Sequence, residues 1–202
     1  MQTVNVQYNR EFSESNSGFI NTFIRTIESR HILAELNPGK DDQILEVGCN
    51  SGKFVKKLLE HCDNVIGVDI NEEAIKLHGS DRFLCMNAEK LDFKDESFNK
   101  IVSMHTIEHI PNIKKAIDEM GRVVKKGGKI VLSYPFEIIR GMTCIRTAFV
   151  VYKNPMMCRQ LHLHKLGHRK MKELVKDTPL RIASHRIIFN PYPAYVTVLE
   201  KN

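Results

Sequence analysis

Several common signals are missing from this sequence, and each absence closes off a class of explanation. The five cysteines, Cys49, Cys62, Cys85, Cys144 and Cys158, are odd in number and include no C-x-x-C pair. That pattern argues against a disulfide scaffold or a cysteine zinc site and predicts reduced thiols in a cytoplasmic setting. The opening stretch MQTVNVQYNREFSESN is polar and lacks the apolar centre of a secretory leader. No long apolar run is free of charge, since Ile130 to Tyr152 is broken by Glu137, Arg140 and Arg146. Each such charge costs about 2.5–3.5 kcal/mol at the centre of a bilayer, so no membrane span is expected. Internal repeats and low-complexity tracts are also absent.

What remains is ordinary globular material. A chain of 202 residues suits one domain, taken here as residues 1–202. Hydrophobic residues make up 42% and charged residues 27%, enough to build a core. The net charge of +6 is concentrated: residues 1–152 hold 20 Lys/Arg against 21 Asp/Glu, whereas residues 153–186 hold 9 against 2. A local basic block can attract an anionic substrate, a nucleic acid or a membrane surface, or can be a solvated helix face. It lacks dense arginine runs and interleaved aromatics, which disfavours nucleic acid.

Periodicity supplies the architecture. Phe19, Ile20, Phe23, Ile24, Ile27 and Ile32 recur at near-helical spacing and predict a helix over 18–37, ended by Asn37-Pro38-Gly39. Short apolar runs follow at Gln43–Gly48, Asn64–Asp69, Arg82–Met86, Lys100–Met104 and Lys129–Tyr134, each suited to a buried parallel strand. Amphipathic segments fall between and after them, at Gly52–His61, Glu72–His78, Ile113–Val124 and His168–Lys176. Lys126-Gly127-Gly128 reads as a tight turn. Arg181–Phe189 and Ala194–Glu200, joined by Asn190-Pro191-Tyr192-Pro193, read as an antiparallel pair. The fold class is therefore α/β: a doubly wound, mostly parallel, seven-stranded Rossmann-like sheet with an antiparallel C-terminal hairpin. Ligands in such sheets bind beyond the carboxyl ends of the strands.

The first strand runs into Glu46-Val-Gly-Cys-Asn-Ser-Gly52 and then a helix. Gly48 allows a sharp turn off the strand, and Gly52 opens a helix start whose free N–H groups favour an anion. The second strand ends in Asp69, where a carboxylate can take two ribose hydroxyls. In these residues the chain resembles the class I S-adenosylmethionine (SAM)-dependent methyltransferases, with Glu46, Gly48, Asn50 and Gly52 matching an acidic residue followed by Gly-x-Gly-x-Gly. The resemblance covers roughly residues 41–134. It implies that SAM is bound, and S-adenosylhomocysteine released, by Glu46, Gly48, Cys49, Asn50, Gly52 and Asp69. It also implies Ile70 against the adenine, Asn87, Ala88 and Glu89 at the adenine edge, and His105 touching the cofactor. Two departures stand out: Asn50 replaces the central glycine, and Asn87 replaces the usual aspartate. Asparagine tolerates left-handed backbone better than other non-glycine residues, and its amide can still hydrogen-bond a base.

The sulfonium of SAM already activates the methyl group, so the protein must align and desolvate the acceptor, with a general base where the acceptor is a phenol, alcohol or amine. His105, Glu108 and His109 follow the fourth strand, and Glu108-His109-Ile110 is similar to the ubiquinone-pathway O-methyltransferases. His109, His105 and, from the later Gln160–His168 stretch, His164 are the candidate catalytic residues; capping and loop support are their structural alternatives. His162 and His164 alternate and would share a face of an extended chain. With His168 they could approach a metal, but suitable carboxylate and thiolate ligands are missing nearby, so none is expected. The N-terminal helix and residues 135–167 are expected to cover an acceptor with an apolar or aromatic part, and Arg140, Arg146, Lys153 and Arg159 to meet an acidic group on it. The expected activity is methyl transfer to oxygen or nitrogen of a small molecule. Nucleic-acid methylation and a non-catalytic SAM-binding scaffold remain the alternatives. The former lacks support from an (Asp/Asn)-Pro-Pro-(Tyr/Phe) motif or a Pro-Cys pair.

Overall fold

The computed structural model describes residues 19–139, 141–189 and 192–202. The polar N-terminal stretch, Arg140 and the Asn190-Pro191 half of the hairpin turn lie outside the described residues. The chain runs α1 (Phe19–Leu36), β1 (Gln43–Val47), α2 (Lys53–Leu58), β2 (Asn64–Asp69), α3 (Glu72–Lys76), β3 (Phe83–Cys85) and β4 (Phe98–Met104). It continues through α4 (Ile113–Val123), β5 (Val124–Pro135), α5 (Ile145–Tyr152), α6 (Cys158–Leu161), α7 (His168–Val175), β6 (Leu180–Ile188) and β7 (Ala194–Lys201).

The seven strands form one sheet in the order β3-β2-β1-β4-β5-β7-β6. The first five pair in parallel, and β7 is antiparallel to both β5 and β6. This is the doubly wound sheet with a C-terminal hairpin expected from the sequence. Both faces are covered, because successive strand residues point to opposite sides. On one side Leu45, Ile101, Ile130, Leu132 and Leu199 pack with Ile117 and Met120 of α4 and Leu174 of α7. On the other, Ile44, Val102, Val131 and Val198 pack with Ile32 and Leu36 of α1 and Val55 and Leu58 of α2.

Differences from the sequence expectation concentrate at element ends. Lys126-Gly127-Gly128 is not a turn outside the strand. It lies within β5, where the register jumps from Phe98↔Val124 to Lys100↔Lys129. Gly127 has φ +72, and a Cβ on Gly128 would lie 2.6 Å from the Asn99 carbonyl oxygen, so only glycine lets the strands stay together there. The stretch after β5 holds two helices that no clear periodicity announced. They gather around a small cluster of Cys144, Ala148, Cys158 and Leu161. Among the described residues no helix is long and apolar enough to cross a membrane.

Candidate functional site

The parallel strands bring their carboxyl ends to one edge, and the loop after β1 shows why its residue types matter. Gly48 turns at φ +84, and both Gly48 and Cys49 donate their N–H to the Val68 carbonyl, at 2.8 and 3.0 Å. A Cβ on Gly48 would lie 2.1 Å from Thr106 Oγ1, so the loop after β4 can close over this turn only because no side chain is there. Asn50 takes the left-handed conformation at φ 39 and Gly52 at φ 63. Asparagine at the central position thus preserves the turn that glycine would make.

Asp69 holds this loop in place. Its carboxylate accepts the Asn50 N–H at 2.8 Å and the Asn71 N–H at 2.9 Å, tying the end of β2 to the end of β1. Each carboxylate oxygen has further lone pairs to offer a ribose hydroxyl. Glu46 is buried, and its Oε2 accepts no hydrogen bond among the described residues. Burial, with the nearby Asp69 charge second, raises its carboxyl well above the usual range. A buried acceptor without a donor beside a glycine turn fits the cationic ammonium of a SAM aminoacyl group. Ile70, 61% exposed just past β2, offers an apolar plate for a base.

Other residues expected at the cofactor also make contacts within the chain. Cys49 is buried, its side chain sits where a Cβ on Gly67 would fall, and burial pushes its thiol up; only its backbone is suited to a ligand. Asn87 Oδ1 accepts the Glu89 N–H at 2.8 Å, a local turn that shapes the loop after β3. Glu89 accepts the N–H of Asn112 at 2.9 Å, which braces the start of α4.

At the end of β4 the histidines occupy unequal positions. His105, at φ 49, presents Nε2 to both carboxylate oxygens of Glu28 at 2.9 Å and Nδ1 to Glu108 at 3.7 Å. Burial opposes its charge, but the two carboxylates outweigh it and raise its pKa to about 10. Glu28, on α1, also accepts the Ser133 hydroxyl of β5, so the helix is pinned to the sheet at this point. His109 donates Nδ1–H to the Leu161 carbonyl at 2.6 Å, and burial lowers its pKa. His164 reaches the Ile110 carbonyl through Nε2 at 2.8 Å. The Leu163 and His164 N–H groups both donate to the Glu108 carbonyl, at 2.9 and 3.2 Å. The segment after α6 is thereby stitched onto the turn after β4.

His162 does not share a site with His164 and His168. It points to Glu137, with Nδ1 2.8 Å from Oε1, while His168 packs on His185 with ring centroids 4.8 Å apart. His162 directly follows α6 and faces Glu137, whereas His164 bonds the Ile110 carbonyl.

A family model described as a methyltransferase domain matches residues 45–132, the segment that carries both loops. A solved SAM-dependent methyltransferase from Methanosarcina mazei superposes with a TM-score of 0.62 at 24% identity, covering 84% of this chain and 96% of the other. Residues 45–132 thus carry a methyltransferase domain, set in a sheet that shares its fold with that solved enzyme. Curated relatives of the chain include a phosphatidylethanolamine N-methyltransferase from Cereibacter sphaeroides, 26% identical over 75% of this chain and 79% of that protein. A ubiquinone biosynthesis O-methyltransferase from Idiomarina loihiensis is 27% identical over 76% of this chain and 68% of its own length. The chain spans about half the length of other curated relatives, for example 44% of a Methanocaldococcus jannaschii protein at 32% identity. The methyltransferase-domain match implies SAM as cofactor, and the chemistry of Glu46, the Gly48–Gly52 turn, Asp69 and Ile70 is compatible with it.

Three participants were not singled out from sequence. Glu28 stands four residues after Ile24 and four before Ile32, a carboxylate in an apolar helical stripe, and that signal was legible. Glu137 and Thr106 carried none, because their importance comes from contacts across 25 and 58 residues of chain.

Proposed function

We propose that this protein transfers the methyl group of SAM to an oxygen or nitrogen of a small molecule that carries an apolar portion. The observation that supports a small acceptor best is the stitching of residues 161–164 onto the turn after β4. It folds the protein's own chain over the strand ends where the methyl donor belongs, and that confines the acceptor. Residues 135–167, together with α1, serve as this cover. Ile138, Ile139, Met142, Ile145 and Phe149 of the cover are exposed, an unusual run for a surface without an apolar ligand. Arg146, Lys153 and Arg159 are exposed beside them and supply charge for an acidic group on the acceptor.

Of the three candidate histidines, His109 is the one suited to act on the acceptor. Both nitrogens of His105 face carboxylates, and His164 is committed to bracing the cover. His105 instead fixes α1 against the strand ends, next to the cofactor. In His109 the Nδ1–H bond to Leu161 sets the tautomer and leaves Nε2 as the lone-pair nitrogen.

The basic excess of residues 153–186 weighs little toward nucleic acid, because much of it is paired. Arg169 and Lys170 meet Glu173, Arg181 meets Glu200, and Arg186 meets Glu35.

Calorimetric titration with SAM and S-adenosylhomocysteine, using NADH as the control, tests the cofactor. Binding of either adenosyl ligand with NADH silent supports the proposal; a folded protein that binds neither would sink it. Asp69→Ala should weaken adenosyl binding, whereas His109→Ala should retain it and lose turnover in a screen of phenols and amines. Retained turnover in His109→Ala would end its catalytic assignment, and binding without turnover on any acceptor would favour the scaffold alternative.

A further inference from the structure

Glu108 is the least explained residue in the molecule. It is 2% exposed, and neither carboxylate oxygen accepts a hydrogen bond among the described residues. A buried carboxylate without a hydrogen-bond donor is costly, so a cation that reaches it is favoured. The nearby histidines meet it only as ion-pair partners, beyond hydrogen-bond length: His105 Nδ1 lies 3.7 Å and His109 Nε2 lies 3.9 Å from Oε1.

A third ring completes the arrangement. One ligand atom from each of Glu108, His109 and His162 lies within 4.8 Å of the other two. The imidazoles of His109 and His162 meet edge to face, with centroids 4.9 Å apart at 75°. Each ring is oriented by its far nitrogen: His109 Nδ1 donates to the Leu161 carbonyl at 2.6 Å and His162 Nδ1 to Glu137 at 2.8 Å. Glu137 is itself held by the Gly141 and Thr143 N–H groups and the Thr143 hydroxyl. An imidazole Nδ1–H bound to a carbonyl or to a carboxylate is the usual outer shell of a metal-ligating histidine.

We propose that Glu108, His109 and His162 form a binding site for a divalent transition-metal ion, with zinc the best match, at the acceptor side of the cover. Two nitrogens and one carboxylate suit zinc and its neighbours. Magnesium and calcium prefer all-oxygen shells and are disfavoured. Ligand bonds of about 2 Å in a tetrahedron place ligands roughly 3.3 Å apart, so the trio must draw in by about an ångström. Three protein ligands leave a coordination position for water or for an acceptor oxygen, whose proton the ion makes easier to lose to solvent. No local pattern announces this trio, because His162 meets Glu108 and His109 only when the segment after α6 folds back onto the turn after β4. The metal site rests on the methyltransferase reading only for its consequence: the His109 lone pair would bind the ion rather than take a proton.

The test needs neither SAM nor an acceptor. Full-length protein is dialysed against chelator and titrated with Co²⁺ followed by optical absorption, and with Zn²⁺ followed by calorimetry, with Mg²⁺ as the control. The expected result is one equivalent bound, visible d–d bands without a thiolate charge-transfer band, and no response to Mg²⁺. Glu108→Gln and His162→Ala should abolish the bands while far-ultraviolet circular dichroism shows both variants folded. Glu137→Gln, which leaves every ligand in place, should weaken binding about 10–100-fold. His168→Ala, at a residue that packs on His185 away from the trio, should leave metal affinity unchanged. Absence of stoichiometric binding, bands that survive His162→Ala and Glu108→Gln, or a thiolate band would each overturn the site. Because adenosyl-ligand binding is measured separately, a failure here leaves the methyltransferase reading standing, and a failure there leaves this one.

Discussion

At the level of single residues, Gly48 shows how a sequence motif becomes a physical requirement. Its φ of +84 disfavours any side chain, and a Cβ would collide with Thr106. Gly48→Ala should therefore cost at least about 2 kcal/mol, from left-handed strain together with overpacking, as read by urea denaturation. Adding Thr106→Gly should recover the steric part and not the backbone part. Gly79→Ala is the matched control, since Gly79 has φ +57 and nothing within 4 Å of its would-be Cβ; only the backbone strain should be seen there, about 1–2 kcal/mol. Equal costs at the two glycines would show that the contact with Thr106 is irrelevant. Most of the candidate site residues were legible at this scale, because a tight turn and a carboxylate at a strand end sit at fixed positions after short strands. Glu46 was legible as a motif member but not as a buried acceptor lacking a donor.

Among elements, the segment before β4 depends on one arginine of α4. Arg122 donates to the carbonyls of Leu91 and Phe93 at 2.8 and 2.7 Å and makes two bonds to Glu119. Arg122→Met should destabilise the protein by about 1–3 kcal/mol, because two carbonyls lose their donor and the Glu119 carboxylate keeps only the Leu91 N–H. The hydrogen bond from Arg122 lowers the pKa of Glu119, with burial opposing. A depressed carboxylate contributes stability that is present above its unfolded value, about 4.3, and is lost as pH falls through the folded value. The difference between Arg122→Met and the native protein should accordingly shrink below about pH 4. A pH-independent difference in urea midpoint would contradict this account. Element identity was readable where periodicity was strong, as in α4 and the parallel strands. It was not readable for α5 and α6, which are short and close on a small private cluster, so their apolar residues follow local packing rather than one long face.

The whole molecule couples these parts through ligand binding. A ligand that binds only the folded state at a hundred times its Kd adds about 2.7 kcal/mol. For a chain of this size that is a rise in melting temperature of roughly 5–10 °C. S-adenosylhomocysteine should produce a rise of that order in differential scanning calorimetry, and Asp69→Ala should reduce it at the same ligand concentration. An undiminished rise in that variant would place the ligand elsewhere.

The sequence by itself determined the order of elements, the mostly parallel sheet, the hairpin at its end and the cofactor loop. Each of these follows from local periodicity, from glycine and asparagine at turns, or from the short distance between a strand and the residue after it. Only the tertiary structure decided what the polar residues at the strand ends do. Glu28 reaches His105 across 77 residues, and His162 reaches Glu137 across 25. Whether a histidine braces a loop, pins a helix or holds its lone pair toward a carboxylate depends on which distant groups fold against it. No local pattern encodes that, because hydrogen bonding and burial are set by neighbours in space.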